Sequence, residues 1–525
     1  MKILITEELA EAGIEKLRES YEVDVALGLE PEELHKRISD ADALIVRSAT
    51  TVDEAVFDAA GQLKVVGRAG IGVDNIDLDA ATHNGVLVVN APESNVVSAA
   101  EHTIALLLAQ ARNVAEADAT LRDGRWERKK LKGVELYSKT LGILGLGRVG
   151  GLVAERAAAF DMNLVGYDPF VSEERARVLG VELLASIDEV FAASDFITIH
   201  MPRTPETENL VNAESIEKMR DGVRIINVAR GGLVDEAALA AAIESGKVGG
   251  AAVDVFPEEP AVDSPLFGQR AATVTPHLGA STAEAQDRAG VTIAEQVAAA
   301  LAGEFAAHTV NVDMGRELTD VVRDFLPVCE ALGRVYAAYA GGIGDRVDIE
   351  FAGAIAEHDT KALQLSVLRG LFAKAVEQPV TLVNAPLIAQ DHGLEVDVHT
   401  SVRARDYVNL VGISGTVAGR VYTIQATVHG DRKDPRIVRI DDFTIEIPPS
   451  THMAIVSNDD RPGVIGAVGS ILGNAGVNIA NMAVGRHIER SLACWGVSTD
   501  EPVPDEVRSE ILGTPGIIEA RFIKI

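Results

Sequence analysis

The sequence predicts an α/β protein of several domains: a doubly wound parallel sheet inserted in a smaller α/β lobe, then an α+β region and a terminal βαββαβ module. Three observations lead there. The chain has 525 residues, several times the roughly 100–200 of one domain. Short apolar runs alternate with Ala-rich amphipathic segments through residues 1–312, the rhythm of βαβ units. Beyond that point the rhythm gives way to Gly-rich turns and longer β-rich stretches.

Taken in order, residues 1–94 open with MKILITEELAEAG, a strand running into a helix, and continue with the strands LKVVGRAG and GVLVVNA. Residues 95–282 hold the strands TLGILGLG, NLVGYDP, DFITIHMP and RIINVARG, and form the inserted domain. Within residues 283–312, helical periodicity up to about Leu301 predicts a segment that carries the chain back to the first lobe. Residues 313–450 contain AGGIGD, the strand RVDIEFAG and a late β-rich stretch, and Pro448 and Pro449 mark a linker. Residues 451–525 read strand, helix, two strands, helix, strand.

Composition narrows the function. Lys plus Arg number 48 against 79 Asp plus Glu, a net charge of −31, while 47% of residues are hydrophobic. So apolar a chain is not a disordered acidic tail, and so negative a surface disfavours nucleic acid and anionic membranes as partners. Arg outnumbers Lys and aromatics are scarce. This composition predicts a protein at its most stable in concentrated salt, where screening shortens the reach of carboxylate repulsion. Cys329 and Cys494 stand far apart without metal-type spacing, so neither a disulfide framework nor a metal site is expected. No secretory pattern and no apolar run of about 18 residues is present, which reads as a cytoplasmic protein.

Residues 140–168 carry Gly145, Gly147 and Gly150 in G-x-G-x-x-G spacing between a strand and a helix, with Arg148 and Val149 inside the same turn. Glycines let backbone approach a pyrophosphate at the helix N-terminus, so this is a dinucleotide site. Asp168 closes the next strand, where a carboxylate binds ribose hydroxyls and repels a 2′-phosphate; the cofactor is NAD. Three later segments end strands with reactive side chains: Arg230 in NVARGG, Glu259 in VDVFPEEP and His277 in VTPHLGAST. Oxidising a secondary alcohol needs a base, His277. A carboxylate that orients the imidazole and stabilises its charged form is Glu259, and a cation that clamps a substrate carboxylate is Arg230.

The fingerprint, Asp168, NVARGGLVDE, DVFPEEP and PHLGAST, in this order, resemble the D-2-hydroxyacid dehydrogenase family. VRSAT at 46–50, VGRAGIGVDNID at 66–77 and DGRWERKKLKG at 123–133 resemble its long-form D-3-phosphoglycerate dehydrogenase branch, whose end is an ACT module. The resemblance implies a Rossmann-type domain inserted in a flavodoxin-like substrate domain, an intervening domain at 313–450 and an ACT domain at 451–525. It also implies oxidation of 3-phospho-D-glycerate to 3-phosphooxypyruvate, the first step of phosphorylated serine synthesis, by a homo-oligomer, dimer or tetramer.

By the same resemblance Arg47, Ser48 and Asn95 contact substrate together with Arg230, and Ala229 and Asp254 line the nicotinamide side. Asp460 and Asn478 hold L-serine as an allosteric inhibitor between two subunits, with Asn458 where some relatives have His. The cluster Arg122, Arg125, Arg128, Lys129, Lys130 and Lys132 is either a place for the phosphorylated acid or a solvated loop, with Trp126 set against a neighbouring subunit. Arg432, Lys433, Arg436 and Arg439 are either a second anion site or a plain turn. Two other functions stay open: a dehydrogenase of glyoxylate or hydroxypyruvate, and an NAD-sensing corepressor-like binding protein.

Overall fold

A computed structural model describes the chain apart from residues 305, 316, 317, 405 and 431. The first lobe is a parallel sheet of the strands Lys2–Ile5, Glu22–Val25, Ala43–Val46, Val65–Arg68 and Leu87–Val89, which lie in the order 2-1-3-4-5 when numbered along the chain. Ala43–Val46 is buried along its whole length, as expected of a strand covered on both faces by helices. One of those covers comes from far along the chain. Helix Ala283–Leu301 is capped by Thr282, whose hydroxyl accepts the Ala285 N–H, and it packs Ala289, Ile293, Val297 and Leu301 against Ile3, Ile5 and Val65.

The inserted domain is a seven-stranded parallel sheet running from Thr140–Leu144 to Ala272–Val274. Numbered within the domain its order is 3-2-1-4-5-6-7, so strand order reverses between Thr140–Leu144 and Phe196–Ile199. Such a reversal opens a crevice at the carboxyl ends of the strands. Helix Val96–Ala111 leads into this domain and buries Leu106, Leu107 and Ala111 in its core.

The third unit has a six-stranded sheet and two long helices, Asp320–Ala340 and Lys361–Phe372. The fourth has the predicted βαββαβ order around a four-stranded antiparallel sheet. Pro448 and Pro449 lie in the short stretch between strands Phe443–Ile447 and His452–Asp459, and the two units share a core across it. Period-2 alternation explains this. Ala454, Val456, Trp495 and Val497 face the module's own helices, whereas Met453, Ile455, Cys494 and Ile523 join the core of the intervening unit with Tyr339, Ile445 and Ile447. A polar clamp spans the same boundary: Arg420 pairs with Glu519 at 2.7 Å and Asp441 at 3.1 Å, and the Tyr339 hydroxyl donates to Asp441. Among the described residues, no helix is long and apolar enough to cross a membrane.

Candidate active site

The crevice between the first two lobes is a cavity of about 1280 Å³, lined by Arg47, Arg68, Asn95 and Arg230 together with Glu259 and His277. All the charged members sit at or just past the C-terminal ends of parallel strands, where an open α/β sheet presents its loops to a ligand.

His277 follows Ala272–Val274 and Glu259 follows Val248–Val253, and these two strands are paired neighbours. Their side chains meet with His277 Nδ1 2.5 Å from Glu259 Oε2. An ionised carboxylate only accepts, so the proton of the neutral imidazole is assigned to Nδ1 and the Nε2 lone pair is free. Glu259 is itself fixed, because its Oε1 accepts the Phe256 N–H at 2.9 Å. Burial pushes the Glu259 carboxyl up, but the hydrogen bonds from His277 and the Phe256 N–H outweigh it and hold the group below the usual carboxylate range. The His277 backbone has φ of +54°, a conformation that needs support from its surroundings. Asp254 supplies it. Fully buried, it accepts the Leu278 N–H, the Gly279 N–H and the Thr275 hydroxyl, lies 3.2 Å from His102 Nε2, and takes the His277 N–H on its backbone oxygen. Its carboxylate oxygens are thus engaged in holding the histidine turn.

Three guanidinium groups gather in the same cavity: Arg47 and Arg68 from the first lobe, and Arg230 from the strand Val223–Asn227, which pairs with the strand before Glu259. Burial, followed by the nearby charges of Arg230 and Arg47, lowers the Arg68 pKa to about 10, while Glu7 and Asp74 offset part of this. The Arg68 Nε is buried without a hydrogen-bond partner, and so is the Asn95 Oδ1. Arg230 is held by its own Nη1 donation to the Ala229 carbonyl and by Asp74 at 3.5 Å, and Asn227 braces the turn from both sides. Cations crowded together, one of them with an unsatisfied donor, can form a receptor for an anion with several oxygens. Arg68 was not singled out from sequence, although it stands inside the quoted VGRAGIGVDNID; the signal was a cation closing a parallel strand.

The dinucleotide turn fits its group. A Cβ on Gly150 would lie 2.0 Å from the Gly145 oxygen, and one on Gly145, at φ +93°, 2.5 Å from the His200 oxygen. At Gly147 nothing lies within 4 Å, and helix Arg148–Ala158 begins there without a side-chain cap. Free N–H groups therefore face open space at a helix start, the arrangement that receives a pyrophosphate. Asp168 takes the Leu146 and Phe170 N–H groups on its two oxygens, which sets its orientation beside the turn. Val149 and Ala229 line the cavity. Arg148 reaches back to Glu93 at 3.1 Å and ties the two lobes on the outside.

Other predicted residues lie elsewhere. The cluster at 122–132 is on the outer surface: Arg122 pairs with Asp118, Arg125 with Asp123 and Lys130 with Glu127, beside a Trp126 that is 81% exposed. Within one chain it does not line the cavity. In the second basic cluster Lys433 sits 3.8 Å from Asp324 and Arg439 donates to the Asp441 carbonyl. Asp460 is paired with Arg486 at 2.6 Å, and Asn478 donates to Asp500. The strand register places these two at opposite ends of the module's sheet, about 30 Å apart at ~3.3 Å per residue. Asn458 is buried and accepts the Trp495 indole N–H.

These lobes and their crevice define an NAD-dependent dehydrogenase of the D-isomer specific 2-hydroxyacid class. The family model described as "D-isomer specific 2-hydroxyacid dehydrogenase, NAD binding domain" matches residues 104–279. Models for the D-3-phosphoglycerate dehydrogenase intervening domain and the ACT domain match residues 321–441 and 452–515. The chain belongs to the D-3-phosphoglycerate dehydrogenase family. It is 45% identical over 510 residues to the D-3-phosphoglycerate dehydrogenase of Mycobacterium tuberculosis, covering 97% of this chain and 96% of that one. With the protein of the same name from Methanocaldococcus jannaschii it shares 42% identity over the full length of both. Among solved structures, a glyoxylate reductase from Paecilomyes thermophila is 30% identical with a TM-score of 0.54, covering 59% of this chain and 98% of that one. The apo D-lactate dehydrogenase of Escherichia coli is 28% identical with a TM-score of 0.53, covering 59% of this chain and all of that one.

Proposed function

We propose that the chain oxidises 3-phospho-D-glycerate at C2 to 3-phosphooxypyruvate, the entry to phosphorylated serine synthesis. The single observation that carries this reading is the gathering of Arg47, Arg68 and Arg230 with His277 in one cavity. An unphosphorylated hydroxy acid has one anionic group and leaves most of that positive charge unneutralised. A phosphorylated one carries about three charges near neutral pH and matches it.

NAD, when bound, accepts the hydride from C2. The protein does the rest. Arg230 holds the substrate carboxylate, and Arg47, Arg68 and Ser48 take the phosphate. Asn95, with its orphaned oxygen, orders the chain between these two anchors. His277 Nε2 removes the hydroxyl proton, and Glu259 stabilises the imidazolium that forms. Arg230, beside the substrate carboxylate, also stabilises the charge that develops at C2 by its fixed charge. Initial rates of NADH formation with 3-phosphoglycerate and with D-glycerate test this reading: equal efficiency for both acids would end it.

The working unit we propose is a homo-oligomer. Val114 and Leu121 on helix Val114–Arg122 and Trp126 just past its end are large, exposed apolar residues, a surface that suits a second copy. We place L-serine at a site shared between two ACT modules, because Asp460 and Asn478 do not meet within one chain. The buried, free thiols Cys329 and Cys494 support a cytoplasmic setting.

A further inference from the structure

The turn that carries Arg47 and Ser48 is not shaped by its own hydrogen bonds. Glu7, past the end of strand Lys2–Ile5, places its carboxylate beneath it. Oε1 accepts the Arg47 N–H at 2.8 Å and the Thr50 N–H at 2.9 Å, and Oε2 accepts the Ala49 N–H at 3.1 Å. Asn75, past the end of strand Val65–Arg68, grips the same turn through its carbonyls, with Nδ2 donating to Arg47 O at 2.8 Å and Thr50 O at 2.6 Å. The Thr6 and Thr50 hydroxyls add a third tie at 2.9 Å. Both gripping side chains follow strands that pair directly with Ala43–Val46, one on each side.

Three of the four N–H groups at 47–50 are therefore drawn to one carboxylate. Among the described residues the fourth, the Ser48 N–H, has no partner within the protein, and neither has the Ser48 hydroxyl. Ser48 lines the cavity beside Arg47 and Arg68. A carboxylate so close to an anion site would be a liability if it served only as a charge. Its three charge-assisted hydrogen bonds give it another task, which is to fold the turn so that one N–H, one hydroxyl and one guanidinium point the same way.

We infer that Glu7 and Asn75 are positioning residues that set the preference for a phosphorylated substrate, by holding the Arg47–Thr50 turn in its anion-receiving shape. The inference rests on the reading of the cavity given above. Neither residue touches substrate; both act through Arg47 and Ser48. The consequence is a change centred on the phosphate end: Glu259 and His277 are held by the Phe256 N–H and the Asp254 carbonyl, and Arg230, although it also meets Asp74 beside Asn75, keeps its own bond to the Ala229 carbonyl.

The test compares wild type with Glu7→Ala, Glu7→Gln and Asn75→Asp, assayed on 3-phosphoglycerate and on D-glycerate with NAD. Glu7→Ala leaves three N–H groups without their acceptor, and its KM for 3-phosphoglycerate should rise at least about tenfold, as a displaced anchoring group commonly costs. Its kcat, its KM for NAD and its efficiency on D-glycerate should stay within about threefold. Glu7→Gln keeps an acceptor within reach of two of the three donors and should recover most of the loss. Asn75→Asp sets a carboxylate against two carbonyls and should resemble Glu7→Ala. Glu7→Gln is also the variant best able to fold, and NADH fluorescence on binding reports a folded cofactor domain for each. Equal losses on both acids, a raised KM for NAD, or an unchanged KM for 3-phosphoglycerate in Glu7→Ala would overturn the inference. A wild type without preference for the phosphorylated acid would instead overturn the functional reading on which it rests.

Discussion

His277 Nδ1 lies 2.5 Å from Glu259 Oε2, and the two residues leave adjacent parallel strands to meet at the mouth of the crevice. This pairing engages Nδ1 and leaves Nε2 as the ring nitrogen free to accept a proton. Glu259→Gln keeps the shape but removes the charge that favours the imidazolium. It should lower kcat by about 100-fold, the usual size of a general-base contribution, while the KM for NAD stays within about threefold. Steady-state kinetics on both proteins check it; an unchanged kcat would separate Glu259 from the base.

The glycine turn separates binding from folding. Gly147 faces open space, so a methyl group there meets no protein atom within 4 Å. Gly147→Ala should leave Tm unchanged and raise the KM for NAD by about tenfold or more, because the methyl group occupies the place of the pyrophosphate. Gly150→Ala, whose Cβ would strike the Gly145 oxygen at 2.0 Å, should lower Tm as well. Thermal melts and NAD titrations of the two variants side by side distinguish these costs.

Arg68 shows function held against stability. Burial and its cationic neighbours disfavour its charge, so Arg68→Met relieves repulsion among three guanidinium groups. The variant should melt no lower than wild type, yet its KM for 3-phosphoglycerate should rise by about 100-fold, consistent with loss of a charge-assisted anchor. Saturating 3-phosphoglycerate should raise the Tm of wild type and not that of the variant.

His200 carries an acid sensitivity. Its ring lies against the glycine turn with Nε2 2.9 Å from the Thr198 hydroxyl, and burial lowers its pKa to about 4 from 6.5. Between these values the unfolded chain binds the proton and the folded one does not, so stability falls as pH drops from 6.5 towards 4. His200→Gln should flatten that part of the stability curve. Urea midpoints measured across pH 4–7 check it.

Much of this site was legible in the sequence because its parts are local. Gly145, Gly147 and Gly150 advertise a strand–turn–helix, and Arg230, Glu259 and His277 each close a short strand in their own motif. Glu7, Arg68 and Asn75 were not legible in the same way. Their roles exist only once strands distant in sequence become neighbours in the order 2-1-3-4-5, and no local pattern states that order. The helix Asp320–Ala340 was hidden in a stretch read by its Gly-rich turns. Pro448 and Pro449 marked a real chain junction, but the alternation of Met453 and Ile455 with Ala454 and Val456, which puts an apolar row on each face of the last sheet, was the sign that the two units share a core. The net charge of −31 describes the chain as a whole, whereas the three arginines of the cavity are a local positive exception to it.

That last contrast sets the most direct measurement. The ratio of kcat/KM for 3-phosphoglycerate to that for D-glycerate, with NAD, reads the phosphate end of the arginine group, Arg47 and Arg68, since both acids share the carboxylate and the C2 alcohol. A ratio of about 100 or more, falling towards unity in Arg47→Ala, is the result this account predicts. A wild-type ratio near one would contradict it.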